Sequence, residues 1–131
     1  MHDRVMGLRC LVVDDSPHFL AAACGLLEQQ GITVAGVAST GAEALRQAAD
    51  LRPDVVLMDI DLGGESGLEL SRRLHDAGGS AAPPVILIST HPEEDYDELI
   101  AASPAIGFIP KISLSAAAVR DLLAPRTPRG R

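Results

Sequence analysis

Short apolar runs alternate with longer mixed stretches along the whole chain. Five apolar runs predict buried strands at residues 11–13, 32–38, 55–58, 85–89 and 106–109. The intervening stretches carry helix-start signals, a serine or threonine at the N-cap or a proline in the first turn. They predict helices that begin near Pro17, Thr40, Ser66, Pro92 and Ser115 and end near residues 30, 51, 78, 102 and 123. The pattern therefore predicts five consecutive βα units.

Repeated βα units predict an α/β fold with three layers. Short βα connections require a parallel sheet that is covered by helices on both faces. Right-handed crossovers leave few strand orders, and 2-1-3-4-5 is the order that we expect for five strands. A chain of 131 residues has the length of one domain. We place this domain at residues 1–123 and treat residues 124–131 as a proline- and arginine-rich tail or the beginning of a linker.

Charged and hydroxyl side chains follow the predicted strands at the points where the strands end. In a parallel α/β sheet, ligands bind at the carboxyl ends of the strands, and strands one and three are neighbours in the predicted order. Three carboxylates are therefore expected to converge there beside a hydroxyl and an ammonium: Asp14, Asp15, Asp59, Ser89 and Lys111. Lys111 is the only lysine of the chain.

Three neighbouring carboxylates need positive charge, because like charges raise one another's pKa. The lysine supplies one charge and a hard divalent cation supplies the rest; Mg²⁺ suits such a set of oxygen ligands. A carboxylate beside Mg²⁺ and a lysine is equipped to receive a phosphoryl group. Asp59 is the expected nucleophile, because it ends a central strand and residues 62–64 predict a flexible loop after it. Asp14 and Asp15 would hold the metal with a carbonyl of that loop, the one of Asp61.

Composition and charge exclude several function classes. The chain has 11 basic and 18 acidic residues, a formal net charge of −7, and three of the arginines lie in the terminal APRTPRGR. A body this acidic repels phosphate backbones, so direct nucleic-acid binding is disfavoured. No apolar run reaches the roughly 18 residues of a membrane span, and the first ten residues are too charged for a signal peptide. Cys10 and Cys24 are expected as core residues in a reducing compartment, which makes the cytoplasm the expected location.

Four short segments, LVVDDSP, LMDIDLGGESGLEL, PVILIST and GFIPK, occur in this order, one at each expected strand end. Together they resemble the signature of response regulator receiver domains, over about residues 8–123. The resemblance implies a flavodoxin-like (βα)₅ fold and a phosphoacceptor signalling module. Its aspartate would be phosphorylated, with Mg²⁺, by a sensor histidine kinase. No enzyme activity is implied beyond the module's own phosphorylation and dephosphorylation.

Carried over by position, the resemblance implies a role for each residue of the predicted site. Asp59 is the phosphoacceptor, and Lys111 contacts the phosphoryl group. Asp14 and Asp15 are the acidic pair, with Asp15 the more direct metal ligand. The protein ligands of the metal are then Asp14, Asp15, Asp59 and the backbone carbonyl of Asp61.

The resemblance also implies a two-state switch. Ser89 is the switch hydroxyl, and Phe108, three residues before the lysine, is the switch aromatic. Phosphoryl oxygens are expected to draw in Ser89 and to vacate space in which the half-buried ring of Phe108 turns inward. Thr90 stands where the family has a small residue, and its bulk is expected to shield the phosphoryl group.

Two other positions depart from the family's pattern. Gly63 replaces the proline that usually stands four residues after the phosphoacceptor, which predicts a looser loop. Ile112 follows Lys111 where a proline in a cis bond is usual, and Pro110 precedes the lysine instead. The resemblance therefore does not fix the backbone around the lysine.

Other function classes share parts of the pattern. Asp59-x-Asp61 also resembles the nucleophile motif of haloacid-dehalogenase-type phosphatases, which carry it on the first strand. A Toprim-like enzyme needs a glutamate after strand one, and a nucleotide-binding Rossmann module needs a glycine-rich turn there. A degenerate receiver that only binds partners is disfavoured, because every site position is filled. A receiver cut from a longer DNA-binding regulator stays open, since no helix-turn-helix fits after residue 123.

The face of helix four, strand five and helix five is the readout surface that the resemblance implies. Helix four carries five acidic residues and no basic one: Glu93, Glu94, Asp95, Asp97 and Glu98. Two such faces repel each other unless the tail arginines reach across, so we expect a monomer or a weak, salt-sensitive homodimer. The downstream partner is expected to be a more basic protein.

Overall fold

The computed structural model describes residues 7–124. The strands are β1 (Arg9–Val13), β2 (Thr33–Ala38), β3 (Val55–Asp59), β4 (Asp61–Leu62), β5 (Glu65–Ser66), β6 (Val85–Ser89) and β7 (Gly107–Pro110). The helices are α1 (Pro17–Gln29), α2 (Gly41–Leu51), α3 (Gly67–Gly78), α4 (Asp97–Ala101) and α5 (Ala116–Leu123). Single 3₁₀ turns lie at Gly79–Ala81, Glu93–Asp95 and Lys111–Ser113. Most of the predicted tail, residues 125–131, lies outside the described residues.

The five longer strands form one parallel sheet in the order β2-β1-β3-β6-β7. Counted among the long strands alone, this is the order 2-1-3-4-5. The predicted α/β class, the flavodoxin-like topology and the strand order are therefore confirmed. The central strands β3 and β6 are buried along their whole length, as expected for a parallel sheet covered on both faces.

Alternate residues of the strands feed two separate cores, one on each face of the sheet. Leu11 and Val13 pack with residues of α2 and α3, whereas Cys10 and Val12 pack with residues of α1 and α5. Burial raises the pKa of the Cys10 thiol to about 12, so this cysteine is an unreactive core residue as expected. Cys24 in α1 is only half-buried, so the prediction that it is a core residue is wrong.

Helix starts follow the predicted capping signals. Ser16, Thr40, Ser66 and Ser115 each accept a hydrogen bond from the backbone amide three residues further on. These bonds satisfy amide groups that a helix N-terminus otherwise leaves without partners. They also fix where α1, α2, α3 and α5 leave the carboxyl edge of the sheet.

The predicted fourth helix, residues 92–102, is wrong in its first half. The structure has a single 3₁₀ turn, Glu93–Asp95, then a non-helical Tyr96 with a φ of −127°, and only then the short helix α4. Acidic residues three and four positions apart repel one another on a helix surface and destabilise it. The ring of Tyr96 packs against the core beside Phe108.

A short hairpin, β4–β5, takes the place of the looser loop predicted after Asp59. Asp61 pairs with Ser66 and Leu62 with Glu65. The two residues between them, Gly63 and Gly64, have φ values of +56° and +96°, and a type I′ turn needs positive φ at both positions. Proline cannot adopt the φ of Gly63. The departure from the family's proline therefore gives a regular turn.

The outer edge of β2 carries neither a charged residue nor a proline, the usual protections of an edge strand. Instead, two long side chains bind its backbone. The amide of Val34 donates to Glu28 Oε2 at 3.2 Å, and Gln47 Nε2 donates to the carbonyl of Val37 at 2.7 Å. A shift in register against β1 leaves Ala35 without a partner between them. At the opposite edge of the sheet, β7 ends in a proline.

Candidate functional site

The predicted carboxylates meet at the carboxyl edge of the sheet. Asp14 directly follows β1, Asp59 is the last residue of β3, and the two strands are neighbours. Asp15, the next residue along, completes the group. One carboxylate oxygen from each of the three lies within 4.8 Å of the others. The structure therefore brings together the three acidic side chains that the sequence placed at this edge.

Lys111 reaches this group from the 3₁₀ turn after β7. Its Nζ lies 2.6 Å from Asp14 Oδ2 and 3.2 Å from Asp59 Oδ2. Burial alone would lower the pKa of the lysine, but contact with these two carboxylates outweighs burial and raises it above its ordinary value. The ammonium therefore stays charged and links the ends of β1 and β3.

Asp59 carries the most perturbed carboxyl group of the site. Its side chain is nearly buried, and this burial, together with the charge of Asp14, raises its pKa to about 6. A hydrogen bond from the Asp61 amide to Oδ1, at 3.1 Å, and the lysine ammonium act in the opposite direction. The ionised form of Asp59 therefore destabilises the folded protein, and further positive charge nearby would reduce this destabilisation.

Asp14 provides a test of whether a cation fits. It is fully buried, and its Oδ1 accepts a hydrogen bond from the Ser16 amide at 2.8 Å. Its Oδ2 forms the ion pair with Lys111 but accepts no hydrogen bond of proper geometry from the described residues. Three carboxylates that each place an oxygen within 4.8 Å of the others, with the Lys111 ammonium as their charged partner among the described residues, are a donor set that suits a hard divalent cation. The residues present therefore fit Mg²⁺.

The segment after Asp59 is packed tightly against the site. A Cβ on Gly67 would lie 2.0 Å from the carbonyl oxygen of Asp59, and the Gly67 amide donates to the carbonyl of Ile60 at 2.7 Å. On the opposite side, the Gly63 backbone lies beside the carboxylate of Asp15. The Glu65 carboxylate accepts from the amide at the start of α2, at 3.2 and 3.3 Å, which anchors the hairpin.

Ser89 is buried at the end of β6, with its Oγ accepting a hydrogen bond from the His91 amide at 3.0 Å. Thr90, the next residue, is exposed. Phe108 is buried rather than half-buried as the sequence predicted, and the movement of its ring on phosphorylation stays a prediction. The ring of Tyr96 lies 6.3 Å from that of Phe108, centroid to centroid, and belongs to the same core. Two aromatic rings packed together favour the inward position.

The sequence left open the backbone conformation around Lys111 and did not predict which aromatic ring lies beside its ammonium. The described residues contain no cis peptide bond, and Ile112 projects almost fully into solvent. Lys111 Nζ lies 4.4 Å from the centroid of the Phe19 ring, which the sequence had given no role. The only signal for this contact was the place of Phe19 in the first turn of α1, close behind Asp15. The two residues and Leu114 line a groove of about 490 Å³.

Among residues 7–124, the helices are all too short or too polar to cross a membrane. The roles of the individual site residues, including the carbonyl of Asp61 as a metal ligand, remain predictions that the geometry alone does not test.

Comparison with known proteins identifies the family. Residues 10–122 match the family described as response regulator receiver domain. A protein-glutamate methylesterase/protein-glutamine glutaminase of Lawsonia intracellularis is 35% identical over 119 residues, covering 88% of this chain and 32% of the relative. The relative of the same description from Nocardioides sp. is 35% identical over 132 residues, covering 92% and 35%. The chain thus spans about a third of the length of these curated relatives.

Solved structures agree with this assignment. The signal receiver domain of the response regulator NarL from Mycobacterium tuberculosis superposes with a TM-score of 0.81 at 29% identity, covering 92% of this chain and 98% of that one. The response regulator domain of Thermotoga maritima CheB has a TM-score of 0.69 at 30% identity, covering 89% and 90%. The chain therefore belongs to the response regulator receiver domain family.

Proposed function

We propose that this chain is the phosphoacceptor module of a two-component system and that Asp59 receives the phosphoryl group. The observation that carries the proposal is the state of Asp59, a nearly buried carboxylate whose pKa is raised to about 6 while Lys111 Nζ lies 3.2 Å away. A strongly perturbed carboxyl group beside a specific charge partner is typical of a functional site. Family membership makes phosphorylation the reaction to test.

The chain's own residues supply most of the chemistry. A carboxylate oxygen of Asp59 forms a bond to phosphorus while the bond from phosphorus to the donor's leaving atom breaks, and the leaving group takes the electron pair. The Lys111 ammonium neutralises charge on the phosphoryl oxygens. The proposed protein ligands of Mg²⁺ are Asp14, Asp15, Asp59 and the carbonyl of Asp61. Bound there, the cation would supply further positive charge for the phosphoryl oxygens.

The test is incubation of the protein with a small phosphodonor and Mg²⁺. We expect the mass of one phosphoryl group to be added, in a linkage that is labile to base, with the label at Asp59. Asp59→Asn should take up none, because an amide oxygen is a far weaker nucleophile, and chelation of Mg²⁺ should nearly abolish uptake. Intact-protein and peptide mass spectrometry give the readout. Unchanged labelling of the Asp59→Asn protein would refute the assignment.

Ser89→Ala is the matched variant for the switch. Ser89 is the last residue of β6, which pairs with β3, and Asp59 is the last residue of β3. The two side chains therefore lie at the same edge of the sheet. The variant should accept the phosphoryl group and yet lose most of the chemical-shift changes around Phe108 that the parent shows on phosphorylation. Equal shift changes in parent and variant would show that Ser89 does not couple the two. Thr90 remains the residue proposed to shield the phosphoryl group.

The natural phosphodonor in this proposal is a sensor histidine kinase, and the cell compartment is the cytoplasm. The catalysis that we propose for these residues is the chain's own phosphorylation and dephosphorylation. Transfer from a phosphorylated histidine kinase to the parent protein, and not to Asp59→Asn, is the measurement that supports this donor.

The readout face is proposed to repel its own copy. The acidic 3₁₀ turn leads into α4, whose exposed Leu99 adds an apolar residue to this acidic surface. Arg120 of α5 does not offset this charge, because its guanidinium donates to the carbonyls of Gln30 and Gly31, at the end of α1. Exposed charge pairs contribute at most about 1 kcal/mol each and are screened by salt. We therefore expect a monomer or a weak homodimer through this face, and a basic protein as its main partner.

Light scattering of the protein with a phosphoryl mimic checks this prediction. In protein that lacks residues 124–131, association should strengthen as salt is raised, because salt then only screens the acidic faces from each other. In the full chain, truncation of residues 124–131 should weaken the dimer at low salt, because it removes the arginines that are proposed to reach across. A tight dimer that responds to neither change would contradict the electrostatic argument.

A further inference from the structure

The ring of Phe19 lies against the ammonium of the site lysine. Lys111 Nζ is 4.4 Å from the ring centroid, and the lysine side chain is only 14% exposed. Within about 6 Å of an aromatic face, a cation is attracted by the negative charge of that face. The contact therefore lies in the range in which the ring stabilises the ammonium.

The position of Phe19 is set by the acidic site itself. Asp14 Oδ1 accepts from the Ser16 amide at 2.8 Å, and Ser16 Oγ accepts from the Phe19 amide at 3.2 Å. The same Asp14 forms the ion pair with Lys111 through its other oxygen. Asp14 is thus connected to the Phe19 ring in two ways. One connection passes through the hydrogen bonds in the first turn of α1, and the other passes through the Lys111 ammonium.

The Phe19 ring helps to compensate for the burial of the Lys111 ammonium. An ammonium group has three N–H bonds, and among the described residues its charged partners are Asp14 and Asp59. Burial of a charge is costly unless it is compensated. The ring covers the ammonium on the side of the groove that it lines with Ile112 and Leu114, where water would otherwise compete with the carboxylates.

We propose that Phe19 is a positioning residue that holds the Lys111 ammonium over Asp14 and Asp59 through the face of its ring. The role rests on the proposed phosphorylation of Asp59, because the ammonium must be in place when charge develops on the phosphoryl oxygens. A ring that merely filled the core of α1 could be exchanged for any apolar side chain of similar size. A ring that holds the ammonium can be exchanged only for another aromatic.

The chain allows a direct test because Lys111 is its only lysine. Protein grown with isotope-labelled lysine gives one set of lysine signals, and the ε-methylene protons should show an upfield ring-current shift. Phe19→Leu should remove this shift and slow the initial rate of phosphorylation at saturating small phosphodonor and Mg²⁺ by about fivefold. Phe19→Tyr keeps an aromatic face and should retain both the shift and a rate within about twofold of the parent.

Leu26→Val is the matched control, because Leu26 lies on the same helix and lines the same groove. It should perturb the packing of α1 while leaving the lysine signals and the rate unchanged. Equal rates for Phe19→Leu and the parent, or equal losses for Phe19→Leu and Phe19→Tyr, would overturn the proposal. An unshifted lysine signal in the parent would do so as well. A parent that takes up no phosphoryl group would refute the proposed function instead, and the lysine signal would still report whether the ring holds the ammonium.

Discussion

Asp59→Asn should make the metal-free protein more stable at pH 7, by about 1–3 kcal/mol in the free energy of unfolding. The pKa of Asp59 is raised from an ordinary 3.8 to about 6, above all by burial and further by the charge of Asp14. The folded protein therefore pays to keep this carboxyl group ionised at neutral pH, and each pKa unit corresponds to about 1.4 kcal/mol. The amide keeps the acceptor for the Asp61 amide without the charge.

The pH dependence of this gain has a definite sign. Because the pKa of Asp59 is higher in the folded than in the unfolded protein, its protonation favours folding below pH 3.8, and this contribution is lost as pH rises through 6. The advantage of Asp59→Asn should therefore be absent near pH 4 and largest at pH 7. Urea denaturation in the presence of a chelator, at several pH values, measures it. Asp61→Asn, at an exposed side chain, is the control and should change little. A variant no more stable than the parent at pH 7 would contradict the prediction.

Gly67→Ala should destabilise the fold by about 3 kcal/mol or more. The added Cβ would lie 2.0 Å from the carbonyl oxygen of Asp59, 2.8 Å from its carbonyl carbon and 2.9 Å from Ile60 Cα. All three atoms belong to the backbone, so no side chain can rotate away and either β3 or α3 must shift. Urea denaturation of the variant and the parent gives the difference.

Gly25→Ala is the matched control for that measurement. Gly25 lies in α1 with no neighbouring atom within 4 Å of the position that a Cβ would take, so an alanine there meets no obstacle. It should stabilise the protein by up to about 1 kcal/mol, because alanine is the better helix former. A loss below about 1 kcal/mol for Gly67→Ala would show that the end of β3 yields more easily than its packing indicates.

The large features of the fold followed from local signals that act independently of the rest of the chain. The capping bonds of Ser16, Thr40, Ser66 and Ser115 form within one helical turn, so the sequence alone predicts where these helices begin. The carboxylate cluster followed from topology, because parallel strands end at one edge. Convergence of Asp14 and Asp59 needed only the correct strand order.

The features that the sequence did not predict depend on contacts between distant residues. The contact of Tyr96 with Phe108 joins the start of α4 to β7, and no local signal near the predicted helix start could reveal it. The aromatic contact of Lys111 joins the first turn of α1 to the turn after β7. The glycine pair of the β4–β5 hairpin was visible, but its two strands are too short to show a pattern of alternation.

The exposed edge of β2 is protected against self-association by two side chains that bind its backbone. A strand that adds to this edge must first break the bonds of Glu28 and Gln47 to its backbone, each with a net value of about 1 kcal/mol. These bonds act at short range, whereas repulsion between acidic surfaces fades as ions accumulate. Concentrated salt therefore removes one barrier to self-association and leaves the other. High salt should therefore permit dimers through the acidic face. It should not permit fibrils in which strands of further molecules add to the edge of β2.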